Sequence, residues 1–257
     1  MKILCIGDVT GSGGVNLLCE KLWRFRRLYG VDLCIVNAEN AAFITGASPE
    51  AAELLFKAGA DVLTGGNHTL RNKAVYSYID SHENMLRPLN FPDAPGQGYT
   101  VTDVLGYRVM VISAMGNVHI EPNLESPFAC IERALRREEG RYDFAVLDIH
   151  AEATGEKLAV AHAFDGRINV VFGTHTHVPT ADMQILPRGT GYVTDLGMCG
   201  ESGGILGMDA ESVVKRMRTS LPYKFEVARG EPKADCVLFD LNTATGRVTS
   251  VTRLKIE

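Results

Sequence analysis

The sequence predicts a layered α/β protein, in which largely parallel strands form central sheets and helices flank them. Short apolar runs rich in Val and Ile recur along the chain, and such runs are typical of strands buried on both faces. Stretches with helical patterning lie between the runs, as in βαβ units. Most of the runs end at a residue that can bind a metal, and ligands of such proteins gather at the carboxyl ends of the strands.

The strongest strand predictions are five apolar runs that lead directly into polar side chains. Further strands are expected at 108–113, 183–186, 192–194, 235–241 and 248–255, and the last two flank a turn-rich segment that suits an antiparallel hairpin. The five runs are 3–6 before Gly7-Asp8, 33–36 before Glu39-Asn40, 62–63 before Gly65-Gly66-Asn67-His68, 144–149 before His150, and 170–172 before the segment His175-Thr176-His177.

Helices are predicted between these strands. Ser48 and Asp209 are of the residue types that cap helix N-termini, and Pro49 occupies the first helical position of its segment. The segment 86–98 is rich in proline and glycine and is predicted to be a loop. The helices are expected at 15–29, 49–58, 73–79, 127–138, 155–163 and 210–219.

Composition narrows the class of protein. A chain of 257 residues with 46% hydrophobic content can bury a large core, and a single domain over 1–257 is expected. The net charge of −5 makes long nucleic acid an unexpected partner. The six scattered cysteines form no CxxC pair and are expected to be buried thiols. With no predicted signal peptide or membrane span, a cytoplasmic protein is expected, and a homo-oligomer is expected only on general grounds.

Several residues are candidates for metal binding, although each has a structural alternative. Asp8 alone could be a helix cap or a loop hydrogen-bonding group, and Glu39-Asn40 could be a polar turn. Carboxylate and amide oxygens together with imidazoles suit Mn, Fe or Zn, and the set is large enough for two ions. The paired glycines before Asn67 permit the close backbone approach that a tight site needs.

The pair His175 and His177 is the most specific element. Alternate residues of an extended segment point to opposite sides, so both imidazoles can serve one centre only if the chain bends or if two metals are present. Gly173 and Pro179 flank the pair and favour a bend. His150 also follows a predicted strand of its own. The alternative that His175 and His177 merely form hydrogen bonds within a loop therefore becomes a poor explanation. For the remaining histidines, His82, His119 and His162, a structural or solvent-facing role is favoured. Three further residues could line a substrate pocket, but spacing alone assigns them no role: Thr10, Arg87 and Asn117.

The order of these motifs resembles that of the calcineurin-like metallophosphoesterases. Thr10 stands where the usual Asp-x-His motif has its histidine, Glu39 replaces the usual bridging Asp, and Thr69 follows Gly-Asn-His in place of an acidic residue. With these departures the chain is similar to the YmdB-type bacterial 2′,3′-cyclic-nucleotide phosphodiesterases over nearly its whole length. The stretches that carry the resemblance are 7–9, 37–40, 64–69, 150–154, 173–178 and 194–198.

The resemblance implies a dinuclear metal site and a role for each candidate. Members of that family are di-iron enzymes, and Mn could occupy the same ligands. His68 is implied as the proton donor, beside a metal-bridging hydroxide that opens the 2′,3′-cyclic phosphate to a 3′-nucleotide. The first metal is implied to bind Asp8, Glu39, Asn40 and His177, and the second Glu39, Asn67, His150 and His175.

Two other functions stay open at this point. The same metal centre could act on a different phosphoester, such as a 3′,5′-cyclic nucleotide or a phosphoprotein. Alternatively, the protein could be a regulatory binding protein that uses the metal-stabilised fold as a scaffold. In every case the expected partner is a small-molecule nucleotide or another macromolecule rather than a membrane.

Overall fold

The computed structural model describes residues 1–42 and 46–257 and shows four layers, in the order helix, sheet, sheet, helix. The two sheets pack face to face through a cluster of buried apolar side chains, and separate clusters join each sheet to its own helices. Period-two alternation along the strands produces this arrangement. Ile3 and Cys5 face the second sheet, whereas Leu4 and Ile6 face the helices.

The first sheet mixes parallel and antiparallel pairs. β1 and β3 are parallel, as are β3 and β4, while β12 pairs antiparallel with β1, β11 and β13. The strand β12 therefore lies directly beside β1, although more than 200 residues separate them. The order is β2-β11-β12-β1-β3-β4 with β13 on β12, and the strands are β1 (Lys2–Ile6), β2 (Asp8–Val9), β3 (Leu33–Asn37), β4 (Val62–Thr64), β11 (Met198–Glu201), β12 (Pro232–Asn242) and β13 (Arg247–Ile256).

The second sheet has a parallel centre and antiparallel edges. β6, β7, β8 and β10 run parallel, and β5 and β9 close the two edges in the opposite direction. The order is β5-β6-β7-β8-β10-β9, with β5 (Tyr99–Val104), β6 (Tyr107–Met115), β7 (Phe144–His150), β8 (Val170–Thr174), β9 (Gln184–Ile185) and β10 (Gly191–Val193).

Within residues 1–42 and 46–257, six α-helices cover the sheets or lie between strands. The predicted cap of α2 is confirmed, because the Ser48 hydroxyl accepts a hydrogen bond from the Ala51 N–H at 3.2 Å, and the Asp209 carboxylate caps α6 through the Ser212 N–H at 2.9 Å. A short 3₁₀ helix covers Thr69–Arg71. The α-helices are α1 (Gly11–Tyr29), α2 (Pro49–Ala58), α3 (Val75–Ser81), α4 (Pro127–Arg137), α5 (Thr154–Ala163) and α6 (Ala210–Thr219).

The layered α/β prediction is confirmed, with corrections to the strand directions. The expected mostly parallel arrangement is right for β1, β3 and β4 and for the centre of the second sheet. It is wrong for β12, which lies in the middle of the first sheet and pairs antiparallel with β1 and β11, and for the edges of the second sheet; β2, β5 and β11 were not predicted as strands. Five cysteines are buried thiols as expected, whereas Cys19 is exposed. Among the described residues, no helix is both long and apolar enough to cross a membrane.

Candidate metal centre

The carboxyl ends of five strands meet at one edge of the two packed sheets, and the candidate ligands converge there. Oxygen ligands come from the first sheet and imidazoles from the second. Asp8 follows β1, Glu39 and Asn40 follow β3, Asn67 and His68 follow β4, His150 ends β7, and His175 and His177 follow β8. The structure therefore brings together the eight residues that the sequence singled out.

Two groups of potential ligand atoms overlap in one carboxylate. Asp8, Glu39 and His177 form one triplet, and Glu39, His150 and His175 form the other; within each triplet the ligand atoms lie within 4.8 Å of one another. Glu39 belongs to both groups and is almost completely buried. The resemblance implied two shells that share Glu39, and each triplet contains three of the four residues implied for one shell.

The first triplet contains a buried oxygen that lacks a partner. Asp8 Oδ1 finds no hydrogen-bond partner among the described residues, while its Oδ2 accepts the His175 N–H at 3.1 Å. A buried polar atom without a partner is costly, and such an atom in a native fold calls for an explanation. A cation bound between Asp8, Glu39 and His177 would supply that partner.

The second triplet requires a positive charge at its centre. The Thr174 hydroxyl donates its only hydrogen to Asp148 Oδ1 at 2.7 Å, so His150 Nδ1–H is the donor in the 2.9 Å contact with Thr174 Oγ1. The lone pair of His150 Nε2 then faces two oxygens and another ring nitrogen: Glu39 Oε2 at 3.2 Å, Asn67 Oδ1 at 3.0 Å and His175 Nδ1 at 3.1 Å.

Lone pairs at these distances repel unless a cation or a proton lies among them. Ligand atoms that share a cation at about 2.1 Å stand roughly 3 Å apart, as these atoms do. Carboxylate, amide and imidazole groups also form the donor set expected for Fe, Mn or Zn. The residues present therefore fit a bound metal ion.

Gly66 leaves the space that this arrangement needs. A Cβ at this position would lie 2.3 Å from both Glu39 Oε2 and His150 Nε2. The expectation that the paired glycines allow close approach is thus confirmed, and Gly66 is the residue that faces the ligand atoms.

The charges of the cluster shift one another's pKa values. Burial raises the pKa of Asp8 to about 6, although His177 and His150 act to lower it. Burial would also raise the pKa of Glu39, but the charge and hydrogen bond of His150 outweigh it and hold that pKa well below its ordinary value. Burial would lower the pKa of His150, but Glu39 raises it to about 9. In the metal-free protein a proton on His150 takes the place of a cation.

His68 lies at the rim, outside both triplets. Its side chain is 21% exposed, and its Nδ1 lies 2.8 Å from Asn40 Oδ1 and 3.4 Å from Glu39 Oε1. The Asn40 amide nitrogen donates to Glu39 Oε1 at 2.7 Å. As placed, the Asn40 oxygen therefore faces His68 rather than the Asp8 triplet, and a half-turn of the amide exchanges the two ends.

The turn that carries His175 and His177 bends at the histidines themselves. Their φ angles are 105° and 61°, a left-handed conformation that costs roughly 1–3 kcal/mol for each non-glycine residue. This geometry lets the two rings face different triplets. Gly173, expected to permit the bend, has another reason for being glycine, because a Cβ there would lie 1.9 Å from the Thr194 carbonyl oxygen.

Sequence reasoning missed groups that orient the ligands. Glu152 Oε2 lies 3.1 Å from His175 Nε2, so that ring presents Nδ1 to the centre. The Leu206 carbonyl lies 3.2 Å from His177 Nδ1 and leaves Nε2 free. Glu152 stands two residues after His150, a spacing that could have indicated it. Leu206 leaves no comparable sequence signal.

The remaining candidates have structural roles. The Arg87 guanidinium donates to the carbonyls of Pro88, Leu89, Ala94 and Pro95 and ties its own loop together. The Asn117 side chain donates to the Leu124 carbonyl and accepts the Leu124 N–H, so it also ties a loop together. Thr10 pairs through its backbone with Asn40. His119 and His162 are exposed, and His82 stacks on Tyr78.

The fold and the site define a class. Two packed mixed sheets, whose adjoining strand ends carry acidic, amide and imidazole side chains grouped as candidate metal sites, are the architecture of a metallophosphoesterase. A NAD nucleotidase from Haemophilus influenzae shares this fold at a TM-score of 0.58, with 13% identity over 98% of this chain and 55% of that one.

Residues 4–254 match the model of the YmdB-like protein family, and the chain belongs to that family. A Bacillus subtilis relative named 2′,3′-cyclic-nucleotide 2′-phosphodiesterase is 41% identical over 257 residues, which cover 100% of this chain and 97% of the relative. A crystal structure of a Mycoplasma pneumoniae phosphatase has a TM-score of 0.93 and 32% identity over 100% of this chain and 93% of the other. The crystal structure of a hypothetical protein from Thermus thermophilus has a TM-score of 0.92 and 38% identity over 99% of this chain and 98% of the other. The prediction of a hydrolase of the phosphodiesterase class is confirmed.

Proposed function

We propose that this protein hydrolyses 2′,3′-cyclic nucleotides to 3′-nucleotides at a two-cation centre, with His68 as the proton donor. The observation that carries the proposal is the pair of ligand triplets that share Glu39. The Bacillus subtilis relative, similar over the whole chain, supports the substrate class by its name. The proposed ligands are the seven residues Asp8, Glu39, Asn40, Asn67, His150, His175 and His177.

Two cations, when bound, activate water near neutral pH and neutralise the phosphoryl oxygens. The mixed oxygen and nitrogen ligands suit Fe, and also Mn. Attack of water on phosphorus breaks the bond to the ribose O2′, and that oxygen leaves as an alkoxide that takes up a proton. The role of the protein's own residues is to hold the cations, to keep the substrate from binding in other orientations and to deliver this proton.

His68 can deliver the proton only if its Nε2 carries hydrogen. The acid is the imidazolium form, because a neutral ring that gave up its only N–H proton would be left as an imidazolate. With the Asn40 oxygen accepting Nδ1–H at 2.8 Å, the charged ring donates its Nε2 proton to O2′ and returns to the neutral tautomer with the proton on Nδ1. In that orientation one lone pair of the Asn40 oxygen serves His68, and its role as a metal ligand would use the second.

The test compares substrates with different leaving groups. Protein loaded with Mn²⁺ or Fe²⁺ is expected to convert 2′,3′-cyclic AMP to 3′-AMP, separated from 2′-AMP by chromatography. His68→Ala should bind both cations yet lose roughly 10²–10⁴-fold in kcat, the usual contribution of a positioned general acid. The loss should be much smaller with bis(p-nitrophenyl) phosphate, because p-nitrophenolate leaves without a proton.

His162→Ala provides the control, because His162 is exposed on α5 and should leave both rates unchanged. Equal losses on the two substrates would remove His68 from the role of acid. Faster turnover of 3′,5′-cyclic AMP or of a phosphomonoester would replace the proposed substrate, an outcome consistent with the phosphatase name of the Mycoplasma pneumoniae structure. Intact 2′,3′-cyclic AMP with both cations bound would favour a regulatory binding protein.

A further inference from the structure

A lysine with no part in the proposed reaction is buried under the histidine turn. Lys157 of α5 is fully buried, and its Nζ donates to the Thr174 carbonyl at 2.7 Å and to Asp195 Oδ2 at 2.8 Å. Asp195 is fully buried as well. A buried ion pair of this kind is often no more stable than apolar side chains of the same size, so stability alone does not explain it.

Asp195 holds the turn at both ends. Its Oδ2 also accepts the Thr176 N–H at 3.1 Å, between the two histidines, and its backbone carbonyl accepts the Thr180 N–H at 3.1 Å. The Thr180 hydroxyl in turn accepts the Asp195 N–H at 2.9 Å. Together with Lys157 on the Thr174 carbonyl, these bonds fix the backbone immediately before, within and after the pair His175 and His177.

The backbone next to Lys157 and Asp195 leaves room for the lysine side chain and has an unusual conformation at the two histidines. A Cβ on Gly173 would lie 2.7 Å from Lys157 Cδ, so the lysine stem passes directly beneath β8. The left-handed φ angles of His175 and His177 are unfavourable and persist only where neighbouring contacts impose them. The Lys157–Asp195 pair supplies contacts at the peptide groups on either side of His175.

We propose that Lys157 and Asp195 are positioning residues that hold His175 and His177 in their ligand geometry, and that their purpose is cation affinity rather than fold stability. The proposal rests on the cation site proposed above. Lys157 balances the buried charge of Asp195, which allows that carboxylate to accept the Thr176 N–H next to the ligands. Removing partners that orient metal ligands typically lowers metal affinity about 10–100-fold.

The test separates affinity from stability with single and double variants. Asp195→Asn keeps the shape of the side chain, and Lys157→Met keeps most of its length, but each leaves one buried charge unpaired and should lower the Tm of the metal-free protein. The double variant Lys157→Met/Asp195→Asn has no unpaired charge, so its Tm should return towards that of the wild type. Its Mn²⁺ affinity, measured by calorimetric titration, should stay about 10–100-fold below wild type.

Two further measurements complete the test. The rise in Tm on adding Mn²⁺ should shrink in all three variants, and Asp195→Asn should regain turnover at proportionally higher Mn²⁺. Arg26→Met is the matched control, since Arg26 is buried on α1 and paired with Asp61 at 3.0 Å; it should lower Tm without changing Mn²⁺ affinity.

Recovery of wild-type affinity together with stability in the double variant would overturn the positioning role. The positioning role would also be overturned if the variants had a lower Tm but showed the full rise in Tm on adding Mn²⁺. A wild-type protein that takes up no Mn²⁺ or Fe²⁺ would instead refute the cation site itself.

Discussion

Replacing Gly66 with alanine tests the second ligand triplet with a single methyl group. The new Cβ would lie 2.3 Å from both Glu39 Oε2 and His150 Nε2, whereas real Cβ contacts essentially never fall below 3.0 Å. Both contacts must therefore lengthen by 0.7 Å, the difference between these distances. Metal–ligand distances tolerate only about 0.2 Å. The φ angle of Gly66 is not positive, so the backbone itself accepts alanine.

We expect Gly66→Ala to fold but to lose at least one of two Mn²⁺ equivalents in titration. Displacements approaching 1 Å at a catalytic centre cost on the order of 10²-fold in rate, which corresponds to about 2.7 kcal/mol. Gly155→Ala in α5 is the control, because its added Cβ would meet no described atom within 4 Å apart from its chain neighbours and the nearby backbone of its own helix; it should keep both cations and gain up to about 1 kcal/mol of stability. Full Mn²⁺ stoichiometry and wild-type turnover in Gly66→Ala would refute the assignment of these atoms as ligands.

Three other predictions follow from the same contacts. Glu39→Gln should lower the affinity for both cations, because Glu39 belongs to both triplets; elemental analysis that finds one site fully occupied would contradict this. Ser48→Ala should cost about 0.5–2 kcal/mol of unfolding free energy through the lost cap, with turnover unchanged; denaturant titration measures it. Treatment with a chelator should abolish turnover and lower Tm, since a ligand bound only by the folded state stabilises it, and Mn²⁺ should restore both.

The buried strands of the fold were predictable from local patterns, but the pairing of the strands and the half-exposed edge strand were not. Consecutive apolar residues such as those of β1 identify strands buried on both faces. In contrast, β5 alternates buried and exposed residues over Tyr99–Val104, and its antiparallel pairing with β6 depends on a partner rather than on its own composition. The insertion of β12 beside β1 is a pairing across more than 200 residues, which no local pattern reports.

The ligand residues were predictable because they follow strands, but the way they are oriented was not. Chain order alone places His175 and His177 at a strand end. Their φ angles are left-handed, and the peptide groups on either side of His175 bond to Lys157 of α5 and to Asp195 after β10, which are distant in sequence. Likewise, His150 carries a proton on Nδ1 because its neighbour, the Thr174 hydroxyl of β8, already donates its hydrogen to Asp148.

The position of β12 has a consequence for when the protein can acquire its metals. Asp8 follows β1, and β1 is flanked on one side by β12 (Pro232–Asn242). A ribosome-bound chain that has not yet extruded these residues lacks half of the hydrogen bonding that fixes β1, although every proposed ligand has already been synthesised. At about 5–20 residues per second, that interval lasts several seconds. Stable cation capture is therefore expected only after the hairpin of β12 and β13 has left the ribosome and closed the first sheet.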